Sequence, residues 1–212
     1  MNLICKGLPI LIILISLSVL VGWSQGDKLL KSWLPDRISM HYSTAICFIL
    51  TSISMLILSR NKINKGYLYV ATSFFFSIVI FIMGGQFLSA YFSDFIKFHI
   101  AGVISDESSQ VVNGIPSLAT ITLFCLFNLR CLMILSESSM EKMAHNLFLW
   151  ITLSGIVSAI FGHIFDIPAL YFYYPNSSSG MALNTTFCFF LLWLVFKCNK
   201  NLNERMFLEE KS

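Results

Sequence analysis

Residues 40–50 read Met40-His-Tyr-Ser-Thr44-Ala-Ile-Cys47-Phe48-Ile-Leu50, and residues 181–191 read Met181-Ala-Leu-Asn184-Thr185-Thr-Phe-Cys188-Phe189-Phe-Leu191. The two align without a gap at an offset of 141, and the same offset lays the apolar segment before the first copy over the one before the second. A weaker third copy, Pro116-Ser-Leu-Ala-Thr120-Ile-Thr-Leu-Phe124-Cys-Leu126, keeps the Thr, Phe and Leu and puts Pro where the others have Met. An internal repeat of this length identifies one supersecondary unit used several times.

Each copy opens an apolar run, and each run follows another. Six such segments can be read, Leu8 to Trp23, Met40 to Ser59, Tyr67 to Tyr91, Ile115 to Leu135, Asn146 to Phe165 and Met181 to Phe196. Runs near twenty residues match a hydrocarbon core of about 30 Å. Lipid offers backbone groups no hydrogen-bond partner, and these runs are continuous rather than alternating, so they are expected to be helices and not barrel strands. The predicted fold is therefore all-α and integral to a membrane, with six transmembrane helices arranged as three parallel helical-hairpin repeats at approximately 8–59, 67–135 and 146–197. These make one membrane domain over 1–198, and residues 199–212 form a tail.

Composition agrees. The chain has 212 residues, of which 56% are hydrophobic and only 12% charged, against roughly 25% charged in an average soluble domain. Mean hydropathy is +0.75. A net charge of +3 spread over the span ends gives no nucleic-acid footprint, and no nucleic-acid partner is expected; the expected surroundings are a lipid bilayer. The six cysteines fall in the spans or near the ends argued below to be cytoplasmic, which speaks against a disulfide framework.

Basic residues at span ends set orientation. Lys6, Arg60, Lys62, Lys65, Arg130, Lys142, Lys197, Lys200, Arg205 and Lys211 share one side, and only Lys28, Lys31, Arg37 and Lys97 lie on the other. Both termini are accordingly expected in the cytoplasm, with three longer loops outside. Asp27 to Arg37, Phe92 to Ile100 and Pro168 to Tyr174 in those loops carry apolar and aromatic residues at helical spacing, such as Leu29, Leu30, Trp33 and Leu34. They read either as short helices lying on the outer leaflet or as plain aromatic anchoring at headgroup level.

In each returning helix Thr and Phe are four residues apart and so share a stripe, which places Thr44, Thr120 and Thr185 at one depth near the outer mouth. Hydroxyl side chains there serve close helix packing, back-bonding within the helix, or contact with a ligand. Met40, Met181, Asn184, Phe48 and Phe189 complete the candidate ligand-binding set. Phe48, Phe124 and Phe189 also read simply as bundle core.

The pattern Met-x-x-x-Thr-Ala-x-x-Phe-x-Leu after an outer loop resembles the multi-helix membrane region that precedes PAS, histidine kinase or GGDEF domains in many bacterial sensor proteins. The likeness is carried by Met40 to Leu50 and by Gly162 to Leu192, where Leu170 and Tyr171 are similar to the family's Gly-x-x-x-x-x-x-x-Leu-Tyr pattern. Where family members often carry His before the Thr, this chain has Ser43 and Asn184. The resemblance implies a sensory or regulatory module in a bacterial inner membrane. The chain ends about sixteen residues after the sixth apolar run, so the expectation is either a truncated or split sensor or a membrane unit that works alone through partners, with a cytoplasmic signalling protein or a homo-oligomer as the expected partner.

Chemistry-bearing motifs are scarce. No phosphate loop, nucleophile elbow, His-Glu-x-x-His or Cys-x-x-Cys occurs. His41, His163 and Asp166 form a candidate metal or haem set at the outer face, weighed against histidines hydrogen-bonded to headgroups. No span carries an acidic residue in its middle, which argues against proton-coupled transport. Asn128 and Gln86 are polar within spans, and Gly84-Gly85 beside Gln86 read as close-packing glycines. A small transporter or pore, and a membrane enzyme or metalloprotein with an outer-face site, are the alternatives to a sensor; no cofactor is specified.

Overall fold

The computed structural model describes residues 3–34, 37–59, 66–91, 116–136, 142–171 and 180–198. All regular structure among them is helical: α1 (Leu3–Gln25), α2 (Lys28–Ser32), α3 (Tyr42–Leu58), α4 (Tyr67–Tyr91), α5 (Leu118–Leu135), α6 (Lys142–Ile164), α7 (Pro168–Tyr171) and α8 (Leu183–Cys198). The expected outer-loop piece at 92–100, the inner loops 60–65 and 137–141, and the tail 199–212 lie outside the described residues.

Four helices, α1, α4, α5 and α6, are long and apolar enough to cross a membrane; α3 and α8 are equally apolar but have 17 and 16 residues. The shortening has a local cause. Met40 does not open α3 as the pattern predicts, because its N–H is drawn to the Lys31 carbonyl at 2.9 Å and the helix begins at Tyr42. Met181 likewise donates to the Tyr171 carbonyl at 3.0 Å, and α8 begins at Leu183. Ser117 caps α5, accepting from the Thr120 N–H at 3.3 Å.

Neighbouring long helices pack in the closed order α1, α3, α4, α5, α6, α8 and back to α1. Burial divides them into two kinds. In α1, α4 and α6 one narrow stripe is buried, for example Thr72, Phe76, Val79, Met83 and Gln86 in α4, while Val70, Phe74 and Phe81 are exposed. In α3, α5 and α8 most of the circumference is buried. The latter three therefore form the centre. The exposed apolar residues of the former suit lipid contact, since a helix face turned to acyl chains has no reason to be polar.

At the centre the three repeated phenylalanines meet. The rings of Phe48 and Phe124 are 4.6 Å apart, those of Phe48 and Phe189 4.8 Å, and those of Phe124 and Phe189 4.8 Å, all tilted or edge-on. Such geometry aligns ring edges with ring faces and is favoured over flat stacking. Below the triangle, Phe127 packs on Phe189 and Phe196.

The short helix α2 is not the simple amphipathic surface helix that Leu29, Leu30, Trp33 and Leu34 predict. Its polar residues Lys31 and Ser32 are buried against the bundle, while Leu29, Trp33 and Leu34 are exposed. Asp27 caps it, accepting from the Leu29 N–H at 2.8 Å, and Trp33 ends it in the left-handed region with φ 63.

Candidate functional site

The end of the bundle where α1 and α6 finish is held by one device used twice. Where α1 ends, Trp23 Nε1 donates to the Met40 carbonyl at 2.9 Å; where α6 ends, His163 Nε2 lies 2.8 Å from the Met181 carbonyl. The Asp27 N–H returns to the Gly22 carbonyl at 2.9 Å, and the Ile167 N–H to the Gly162 carbonyl, also at 2.9 Å. On the ring of Trp23 sits the Lys31 ammonium, 4.2 Å from the centroid; on the ring of His163 stacks Tyr171, at 4.5 Å. The backbone turn and the ring contact have the same spacing in both copies, whereas the ring nitrogen and the methionine carbonyl are 17 residues apart in the first and 18 in the second.

These equivalences are offset by 140 residues in the outgoing helix and its turn, and by 141 only from Met40 and Met181 onward. The single offset of 141 read from the returning helices does not extend back through the loop. One extra residue between Tyr171 and Met181 absorbs the difference.

The device also disposes of the methionine carbonyls. A helical threonine usually returns its hydroxyl to the carbonyl four residues earlier, as Thr186 does to Ala182 at 3.0 Å. For Thr44 and Thr185 that carbonyl belongs to Met40 and Met181, and a ring nitrogen already takes one of its two acceptor positions. Thr44, Thr120 and Thr185 are all buried, one helical turn above the phenylalanine triangle. Thr120 pairs with the Ser117 hydroxyl at 2.9 Å. Among the described residues the Thr44 hydroxyl has no hydrogen-bond partner, nor has that of Ser43 beside it.

Asn184, the residue preceding the third threonine, is fully buried and links α8 to α2. Its Nδ2 donates to the Lys31 carbonyl at 2.7 Å, and its Oδ1 accepts from the Thr185 N–H at 3.0 Å. Arg37 meets Asp166 at 2.6 Å across the same seam, and that carboxylate raises the already high pKa of the guanidinium. Trp33 and Phe187 add a ring contact at 5.5 Å. Trp33 and Asp166, with φ 63 and φ 52, are the two non-glycine residues with positive φ among those described, and both lie at this seam.

The residues singled out from the sequence therefore divide. Met40, Met181, Thr44, Thr120, Thr185, Asn184, Phe48 and Phe189 are all buried, in or near the first turns of α3, α5 and α8. The set His41, His163 and Asp166 is not assembled as a metal centre: His163 holds the Met181 carbonyl, Asp166 holds Arg37, and no group of three or more His, Cys, Asp or Glu suited to a metal ion exists among the described residues. Asn128 bonds Thr51 Oγ1 at 3.2 Å and the Phe124 carbonyl at 2.8 Å, so it serves the packing of α3 on α5. Sequence reading missed Gly22, Trp23 and Lys31. A signal existed, since Gly22 and Leu30 sit at the spacing of Gly162 and Leu170.

Comparison with known protein families, with characterised proteins and with solved structures finds no match.

Proposed function

We propose that this protein is a membrane-embedded sensory or regulatory module of bacterial signalling, built as three parallel hairpins with six membrane-crossing helices and both ends cytoplasmic. Helices of 17 and 16 residues extend about 24–26 Å, and the pinned turns at Met40 and Met181 supply the remaining length needed to cross. The excess of Lys and Arg on the side of both termini supports the orientation.

The proposed site is the outer mouth, where Thr44, Thr120 and Thr185 lie one helical turn above Phe48, Phe124 and Phe189. The buried Thr44 hydroxyl without a partner carries this reading. An unpaired buried hydroxyl costs about 1–3 kcal/mol, a cost that a bound molecule with a polar head removes. The ligand is an amphipathic, membrane-soluble molecule, and its binding shifts the packing of α3, α5 and α8 toward the cytoplasm. A ligand that contacts three central helices at once distinguishes between two arrangements of them, which is what any population shift requires.

Native mass spectrometry of the full chain purified from a bacterial membrane tests this. A bound amphiphile is expected on the wild-type chain and absent from the triple variant Thr44→Val, Thr120→Val, Thr185→Val, provided the variant unfolds at a comparable temperature. A wild-type chain that carries nothing, or a triple variant that keeps the ligand, overturns the assignment.

A further inference from the structure

The turns at the ends of α1 and α6 are built alike but differ in charge. In the second, Tyr171 stacks on His163 and its hydroxyl accepts from Arg37, which is paired with Asp166. In the first, Lys31 takes the stacking position on Trp23, and among the described residues its ammonium has neither a carboxylate nor a hydrogen-bond partner. The Asp27 carboxylate at the start of the same helix accepts from the Leu29 N–H and forms no ion pair with it.

Lys31 is nonetheless only 8% exposed. Its carbonyl accepts from both Asn184 Nδ2 and the Met40 N–H, and these two bonds hold α2 against the bundle with the ammonium over the indole face. A cation–π contact offsets only part of what an ammonium loses on leaving water. The first turn therefore holds a charge that the last turn neutralises and this one does not.

The surroundings indicate which anion would meet it. The apolar stretch of α1 is Lys6–Gln25, so Trp23 stands two residues from its end, at the depth where indole rings meet phospholipid headgroups. Leu29, Trp33 and Leu34 are exposed apolar side chains beside Lys31 in the chain, and Lys28, one turn before it on α2, is an exposed second cation. Apolar and basic side chains together on a short helix suit the boundary between acyl chains and headgroups.

We infer that Lys31, on the face of Trp23, binds the phosphate of an anionic phospholipid. Phosphodiester oxygens accept from the ammonium, which has three donors and no acceptor. A zwitterionic headgroup brings its own cation to the same place, so a headgroup of net negative charge is preferred. This site is separate from the threonine layer and does not depend on the ligand proposed for it.

Native mass spectrometry of the full chain released from nanodiscs of equal parts phosphatidylglycerol and phosphatidylcholine, with matched acyl chains, tests the inference. Phosphatidylglycerol is expected on the wild-type chain about fivefold over phosphatidylcholine, the preference that one lysine gives towards an anionic lipid surface. Lys31→Gln should bring the ratio near one; if that variant does not fold, Lys31→Met, whose apolar stem still covers the Trp23 ring, should do the same. Lys31→Arg should retain the preference, and Lys28→Gln, which removes the same charge from an exposed position, should keep most of it. Equal binding of the two lipids by the wild type, or equal losses in Lys28→Gln and Lys31→Gln, overturns the inference. Glycerol phosphate added to the chain in pure phosphatidylcholine nanodiscs separates the lipid from a soluble source of the same group. No binding is expected there, and binding that Lys31→Gln abolishes would overturn the lipid assignment in favour of a soluble phosphate ester.

Discussion

Gly22 and Gly162 are small because the turn leaves them no room. A Cβ at Gly22 would come within 2.6 Å of the Leu30 Cβ and 3.2 Å of the Asp27 carbonyl; at Gly162 it would meet Tyr171 Cδ1 at 2.8 Å, the Leu170 Cβ at 2.9 Å and the Ile167 carbonyl at 3.3 Å. Two of the close atoms are Cβ carbons and two are backbone oxygens, none of which can swing aside. Gly22→Ala or Gly162→Ala should therefore cost about 1–3 kcal/mol, read as a lower unfolding temperature in detergent. Gly84→Ala, with nothing within 4 Å, should leave it unchanged or slightly raised. Equal responses at all three positions would show that the close approach of α2 and α7 to the long helices does not matter to stability.

Between elements, the seam of α2 and α8 is held by contacts of unequal worth. The Arg37–Asp166 pair is 35% and 71% exposed, and solvent screening leaves such a pair little weight in stability. Asn184 is fully buried and bonded at 2.7 Å to the Lys31 carbonyl, and its loss leaves that turn under-supported at about 1–3 kcal/mol. Asn184→Leu should lower the unfolding temperature more than Arg37→Ala, and should speed hydrogen exchange at the Met40 amide, which shares the Lys31 carbonyl. A larger effect from Arg37→Ala would put the seam's stability in its exposed pair. The cap on α2 is a smaller element of the same seam: Asp27→Ala removes the acceptor for the Leu29 N–H and should cost about 1 kcal/mol.

For the whole molecule, the central and peripheral helices have different solvents. α3, α5 and α8 are buried over most of their circumference and meet through phenylalanine rings, while α1, α4 and α6 turn Leu14, Val70, Phe81 and Trp150 outward. Aspartate at an outward position such as Phe74 should block membrane insertion or expel that segment, at about 2.5–3.5 kcal/mol. The proposed orientation adds a global expectation. A fluorescent reporter fused after Ser212 should mature in the cytoplasm and a phosphatase fused there should be inactive, with the reverse result in the loop after Tyr91. An active phosphatase at the C-terminus would invert the bundle and move the threonine layer to the cytoplasmic face.

Much of this was readable in advance, for a physical reason. Apolar run length and the demand of lipid for internally bonded backbone are properties of local sequence, so the helices and their approximate ends followed from it, and the recurrence of Thr and Phe at fixed spacing named the residues of the central layer. What the chain order could not supply was the partner of each group across helices separated by many residues. Trp23 and His163 share no chemistry class in a sequence comparison, yet each places a ring nitrogen on a methionine carbonyl. Asn184 reads as a substitution beside a threonine until Lys31, far away in the chain, is found against it. The metal set at His41, His163 and Asp166 dissolved for the same reason, because hydrogen bonds and an ion pair claim two of its members. Local sequence alone determined that this chain is helical and apolar; tertiary packing alone decided which buried polar groups are satisfied among the described residues and which are not, since hydrogen bonding depends on distances that only the closed ring of helices sets.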